Sequence, residues 1–488
     1  MRYIEYYDGE RKRRIEVQGL FEARQLTNPP KARTSTRTPM SAAMRPQASG
    51  GVIATSIHAQ ESRFTDLFRA VSETNAFVMP ADKGGATVIP TETVAIDGAR
   101  VRELQWARRT HGLEVVKEAS HGKVLMRVPG DAQDGIGLAA TAALQLHERG
   151  TVDAAHPNFL RAIQHPATSA AGVAGQWALD NPGDLGLIGA DANALAAWTI
   201  TKGSSDVRVA ILDEGVDTLH PYLKAAVVAE KDFVDENDHA KPDGNDAHGT
   251  ACAGIVASRN SRVSGLAPGV SLVAARIAKS NEDEFWIMDD FQTADAIDWC
   301  WDTARADVLS NSWGGGPPVP IITQAFERAR TQGRDRLGAI VVAAAGNEQG
   351  PVSYPGTMLE VMTVGASNQW DERKTRTSND GENWWGSNHG KALDLVAPGV
   401  MILTCDIRGQ RGYGNSTVTE QFNGTSAATP FVAATAALML SVRPDLTEVQ
   451  VRELIGLTAD PLNQTGWTST LGSGRLNAYE ALRAARRA

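Results

Sequence analysis

Beyond about residue 175 the chain carries a series of uninterrupted apolar runs, VRVAILD, SLVAARIA, DVLSNSW, AIVVAAAG and VMTVGAS, separated by stretches of helical period. A strand wetted on one face alternates apolar with polar residues, whereas a run without alternation is buried on both faces. Strands of that kind, linked through helices expected near 248 to 258, 290 to 304, 320 to 332 and 426 to 442, close into a parallel sheet with helices on either side. The expected fold class is therefore α/β. In such sheets the working groups gather just beyond the carboxyl ends of the strands.

Short polar blocks fall at those places. VAILDEGVD puts Asp213 where a buried strand runs out into a turn, and NDAHGTACAG puts His248 at the start of a small-residue helix. VVAAAGN ends a strand at Asn347, and NGTSAATP puts Ser426 at another helix start. Taken singly, such an Asp is usually a turn former and HGT usually a helix cap. Together they offer the parts of nucleophilic catalysis: a hydroxyl, an imidazole to take its proton, and a carboxylate to hold the imidazole in the right tautomer. Ser426 at a helix N-terminus sees backbone N–H groups and the positive end of the dipole, which favour a developing oxyanion. Gly249, Thr250, Gly424, Thr425, Ala427 and Ala428 leave room for two helix starts to meet, and Pro430 is expected in the first turn, where its missing N–H is tolerated.

In this order, and over about three hundred residues from Trp177 to the final GSGRLNAYEAL, the blocks resemble the marker sequences of the subtilase family. The resemblance implies a subtilisin-like parallel sheet and a serine endopeptidase working through an acyl-enzyme. Asp213, His248 and Ser426 would be the triad, and the Asn347 amide with the Ser426 N–H the oxyanion hole. It further implies protein or peptide substrates bound as an added strand along Ser310, Asn311, Ser312, Trp313, Gly314 and Gly315, over an S1 floor at Ala344, Ala345 and Gly346. The opposite edge would lie in 280 to 290, SNEDEFWIMDD: either an acidic, aromatic rim selecting basic or apolar residues, or carboxylates that face water and cap the next helix. No cofactor is needed for the chemistry. Structural calcium is common in the family, with Asp232, Asp235, Asp238 and Asp243 as oxygen donors, although ASRNSRVSGLAP is shorter than the usual calcium loop. Glu214 departs from the family's Ser, Thr or Asp; it either raises the His248 pKa or points to solvent. Cys252, one turn after His248, resembles the proteinase K and kexin branches and predicts sensitivity to mercurials. His220, His389, Trp384 and Trp385 read as structural.

Ahead of this region, YIEYY and RRIEV flank Asp8-Gly9 as a hairpin, and 28 to 51 has the composition of a linker. From 84 to 163 the pattern runs strand, helix, strand, strand, helix, strand, a split βαβ unit of ferredoxin-like α+β type. Ending in His156-Pro157-Asn158, it resembles the propeptide of many subtilases, which implies an intramolecular inhibitor and a self-processed zymogen. The expected organisation is an extension over 1–80, a propeptide-like domain over 81–163, a linker and processing region over 164–176, and the catalytic domain over 177–488.

A formal charge of -9 and pI near 5.7 disfavour nucleic acid as a partner, and three cysteines, an odd number, argue against a disulfide framework. The N-terminus lacks the apolar core of a secretory signal, and no stretch reads as a bilayer span, so no membrane partner and a cytoplasmic address are expected. A peptide macrocyclase or transamidase on the same acyl-enzyme, and a catalytically silent binding protein, are the alternatives.

Overall fold

The computed structural model describes residues 3–8, 11–16, 86–129, 132–164, 175–184, 186–281, 285–462 and 465–488. The expected linker over 28–51 and most of the processing region lie outside the described residues.

Strands β1 (Tyr3–Asp8) and β2 (Arg11–Glu16) form the predicted antiparallel hairpin. The following unit runs β3 (Ala86–Asp97), helix Val101–His111, β4 (Glu114–Glu118), β5 (Val124–Arg127), helix Ala132–Glu148 and β6 (Ala154–Gln164). The two short strands read from the sequence are one long strand, β3, whose register shifts between Pro90 and Val94, where proline has no N–H to give the ladder. The strands pair antiparallel in the order β6-β3-β5-β4, a split βαβ topology. Val94, Ile96, Val124 and Met126 form one core with Ala139, Ala143 and Leu146 of the second helix.

The larger unit is built on β7 (Arg208–Asp213), β8 (Val227–Asp232), β9 (Ser271–Arg276), β12 (Val308–Asn311), β13 (Ile340–Ala344), β14 (Met362–Ser367) and β15 (Leu395–Pro398), with β10 (Ala278–Ser280) and β11 (Phe285–Asp289) inserted after β9. These seven strands pair parallel in the order β15-β14-β13-β12-β7-β9-β8. The double-sided burial read from the sequence is met by alternation. Val209 and Ile211 of β7 join a core with helices His248–Ala257 and Thr425–Val442, while Ala210 and Leu212 face helices Asp290–Asp298 and Pro320–Gln332. The hairpin β16 (Ile402–Cys405) and β17 (Val418–Phe422) lies against the His248 helix. The chain order reverses across β7, with β9 on one side and β12 on the other, and opens a crevice at their carboxyl ends.

One sequence expectation is corrected here: helix Thr425–Val442 has the length and apolarity of a bilayer span, but it lies in the protein core, with every residue from Thr425 to Leu440 buried. The two units also share a sheet. β11 pairs antiparallel with β6, extending the small sheet to β10-β11-β6-β3-β5-β4, and Val88 and Phe159 of the first unit continue the core over helices Asp290–Asp298 and Pro320–Gln332.

Candidate active site

Asp213 is the last residue of β7 and is buried; its Oδ1 accepts the N–H of Glu214 at 2.9 Å, which fixes the carboxylate at the strand end. His248 begins its helix and is fully buried, with Nδ1 2.9 and 3.1 Å from the two oxygens of Asp213. Trp286 and Phe422 meet the imidazole roughly edge to face at centroid distances of 4.6 and 5.2 Å, so aromatic walls limit its rotation. Gly249 is required by the approach: a Cβ there would stand 2.2 Å from the Gly215 carbonyl and 2.9 Å from Asp213 Cβ.

Ser426 is the second residue of its helix, and its hydroxyl donates to the Ser312 carbonyl at 3.1 Å. Pro430 is not in the first turn, because the helix begins at Thr425, five residues earlier. Its missing N–H is the one that would have bonded the Ser426 carbonyl. That carbonyl instead accepts the Ser312 hydroxyl at 2.9 Å and the Cys252 thiol at 3.7 Å. Proline thus frees an acceptor through which β12 and the His248 helix are fastened to the Ser426 helix. Cys252 Sγ is also 3.8 Å from His248 Nδ1, and burial, followed by the charge of Asp213, pushes its pKa well up, so it stays a neutral thiol.

Asn347 follows β13 and is oriented by Thr425: its Oδ1 accepts the Thr425 N–H at 2.9 Å and hydroxyl at 3.1 Å, and that hydroxyl accepts the Gly346 N–H at 3.1 Å. With the amide oxygen held on the helix start, Nδ2 is turned the other way. A Cβ on Gly424, which has φ +113°, would stand 3.3 Å from both amide atoms.

The expected substrate edges are placed as follows. Ser310 and Asn311 are buried inside β12, Asn311 spending its amide on the carbonyls of Leu309 and Val342. Trp313 is buried against Phe326, Gly314 lies close to the Tyr354 carbonyl, and Gly315 donates to that same carbonyl at 2.7 Å. Ala344 and Ala345 are buried and Gly346 is half-buried. Arg161 of β6 reaches the Gly315 carbonyl at 2.7 Å and pairs with Asp290, while Asn158 donates to Asp289 at 2.7 Å. Asp289 also caps the helix at Gln292. The acidic segment is therefore neither a free rim nor solvated at these positions; β6 covers it. Residues 282–284 lie outside the described residues.

Glu214 does not point to solvent. It is fully buried, and its Oε1 accepts the backbone N–H of His248 at 2.6 Å. Burial, and then the charge of Glu214, raise the Asp246 carboxyl to about 7. His220 bonds the Thr417 carbonyl, His389 sits in a loop bonded to Gly350, and Trp385 is buried with Nε1 on Glu382, so these are structural, as is the partly buried Trp384 packed on the core. The cysteines are free and buried.

At Asp232 and Asp235 the acidic segment proposed for calcium does not fit the ion. Arg276 places its guanidinium between Asp232 and Asp235 at 2.8 and 2.7 Å, and Asp232 and Asp243 accept nearby backbone N–H groups. The short loop after the histidine helix is likewise closed on itself, with Asn260 accepting from Arg262 and Val263.

The Subtilase family model matches residues 204–474, from just before β7 to past the last strand. The chain belongs to the subtilase family. Similar curated proteins include the calcium-dependent protease of Nostoc sp., 30% identical over 76% of this subtilase and 60% of its own length, and thermitase of Thermoactinomyces vulgaris, 33% identical over 59% of this chain and 91% of its own. The chain thus spans 60% of the length of the longer relatives it matches. The crystal structure of fervidolysin from Fervidobacterium pennivorans, a keratinolytic enzyme related to subtilisin, matches with a TM-score of 0.63 at 21% identity, over 80% of this subtilase and 61% of that chain, and shares its fold. The sequence pointed to the triad and Asn347 and marked Thr425 only as a small residue, but it left Trp286, Phe422 and Asp246 unmarked; only the acidic residue following Asp213 hinted at the last.

Proposed function

We propose that this subtilase is a serine endopeptidase that cuts peptide bonds through an acyl-enzyme on Ser426. The observation that supports it is the doubly bonded Asp213–His248 pair facing a helix whose start carries Ser426 and holds Asn347. In this reading the Ser426 hydroxyl leaves the Ser312 carbonyl for the imidazole, which accepts its proton as Oγ attacks the scissile carbonyl. Asp213 stabilises the imidazolium, which then protonates the leaving amine; water repeats the sequence to release the acid. Asn347 Nδ2 and the Ser426 N–H receive the oxyanion, and loss of such a donor costs about 2.7 to 4 kcal/mol, the magnitude known for subtilisin itself. Substrate would run along Ser312–Gly315 and β11, with its S1 side chain at Ala344–Gly346.

We further infer that residues 81–163 are an inhibitory propeptide removed by self-cleavage within 164–176, since β6 occupies β11 and Arg161 occupies Gly315, both edges a substrate would need. The fit of Arg276 to the acidic segment argues for a cation built into the chain there in place of calcium. Labelling of purified protein with a fluorophosphonate, together with N-terminal mapping, tests the reading. Label and a new N-terminus within 164–176 are expected for wild type and neither for Ser426→Ala; label retained in that variant would overturn it.

A further inference from the structure

Helix His248–Ala257 starts without a side-chain cap of its own, since its N-cap is Ala247. The first N–H of a helix lacks an intrahelical partner, and here it belongs to the general base itself. Glu214, arriving from the end of β7 thirty-four positions away, accepts that N–H at 2.6 Å. Its other oxygen faces the Ser280 hydroxyl at 3.4 Å, and the Ser280 N–H in turn lies 3.3 Å from both oxygens of Asp246. Ser280 is the register partner of Trp286, whose ring edges the imidazole. Both carboxyl groups are buried, so a carboxyl pair, the uncapped helix start and the aromatic wall form one closed cluster around His248.

We propose that Glu214 is a positioning residue for His248, holding the start of the histidine helix by accepting the His248 backbone N–H. A negative charge at a helix N-terminus is favourable, and an ionised acceptor binds an N–H about twice as strongly as a neutral one. Two adjacent buried carboxylates are costly, which is why one of the pair retains a proton. The groups facing the pair are Asp213 on β7, His248 and the neutral Cys252 on the helix, Arg276 on β9, Ser280 on β10, and Tyr413. Arg276 favours ionisation of Asp246, but its charge is the smallest of the influences and is outweighed by burial and by Glu214. Asp246, raised to about 7, therefore gives up its proton near neutrality and places a second negative charge next to Glu214. The labelling profile then carries the ionisation of Asp246, which Asp246→Asn removes.

The proposal rests on the serine-protease reading, so its test uses a readout that separates the two. The second-order rate of fluorophosphonate labelling is measured from pH 5 to 9 on full-chain wild type, Glu214→Gln, Asp246→Asn and Ser280→Ala. Glu214→Gln, with a neutral acceptor, is expected to label about 10- to 100-fold more slowly, and Asp246→Asn to lose one ionisation from its profile. Ser280→Ala, which removes one hydroxyl, keeps the test available should the first variant not fold. Wild type that does not label would sink the protease reading. Wild type that labels, with folded variants sharing its rate and profile, would sink the positioning role alone.

Discussion

The two sheets of this molecule are stabilised in opposite ways. The parallel sheet is apolar on both faces, and β12 and β13 are buried at every position. The antiparallel sheet has a modest core on one face and meets the larger unit through buried charge set around an apolar seam at Val88, Ala95 and Phe159. Lys123 bonds Asp298, Arg328 bridges Asp298 and Asp97, and Arg161 binds Asp290 together with the Gly315 and Pro317 carbonyls. Apolar contact is non-directional, whereas a buried ion pair stabilises only with its partner in place and regains hydration once separated. A core of the first kind stands by itself; an interface of the second kind is specific and separable.

The sharpest attempt to break this contrast is Arg161→Ala in a Ser426→Ala background. It strands Asp290 and is expected to weaken docking of the first unit by about 3–5 kcal/mol. Hydrogen exchange should show β6 losing protection while β7 and β12 keep theirs; equal loss in both would mean that the sheets are one cooperative body. Acidification gives a smaller effect. Burial holds the His156 imidazole down at about 4 from its ordinary 6.5, and its Nε2 has no partner among the described residues. The folded state therefore binds fewer protons than the unfolded one, so this contribution is complete above about 6.5 and is lost as the pH falls toward 4, on the order of 3 kcal/mol in all. Denaturation of Ser426→Ala across that window should show a slope that His156→Gln flattens. The smallest change is Tyr6→Phe, which deletes the bond from the N-terminal hairpin to the Pro318 carbonyl and should cost about 0.5–1.5 kcal/mol, read as faster release of the first unit.

What the sequence made legible divides along the same line. The parallel strands and the helices at 248, 290, 320 and 425 were readable because burial on both faces leaves a local pattern, and the triad because each member lies in its own short block. The duties of Glu214, Asp289, Asp290 and Asp232 were not. Each depends on a partner contributed from far along the chain, respectively the His248 N–H, Asn158, Arg161 and Arg276. A carboxylate read without its partner looks like solvent-facing charge or a calcium ligand. Pro430 was misplaced by a turn for a related reason: the carbonyl it releases is claimed by Ser312 and Cys252, which no local pattern connects to it.

Trp286 touches both sides of this divide, with its backbone in the ladder to β6 and its indole against the imidazole. Departure of β6 would leave that chromophore at a solvent-facing rim, so the chain carries its own optical reporter of whether the cleft is covered. Emission read against Trp286→Phe, needed because there are 11 tryptophans, would time uncovering before any bond is cut.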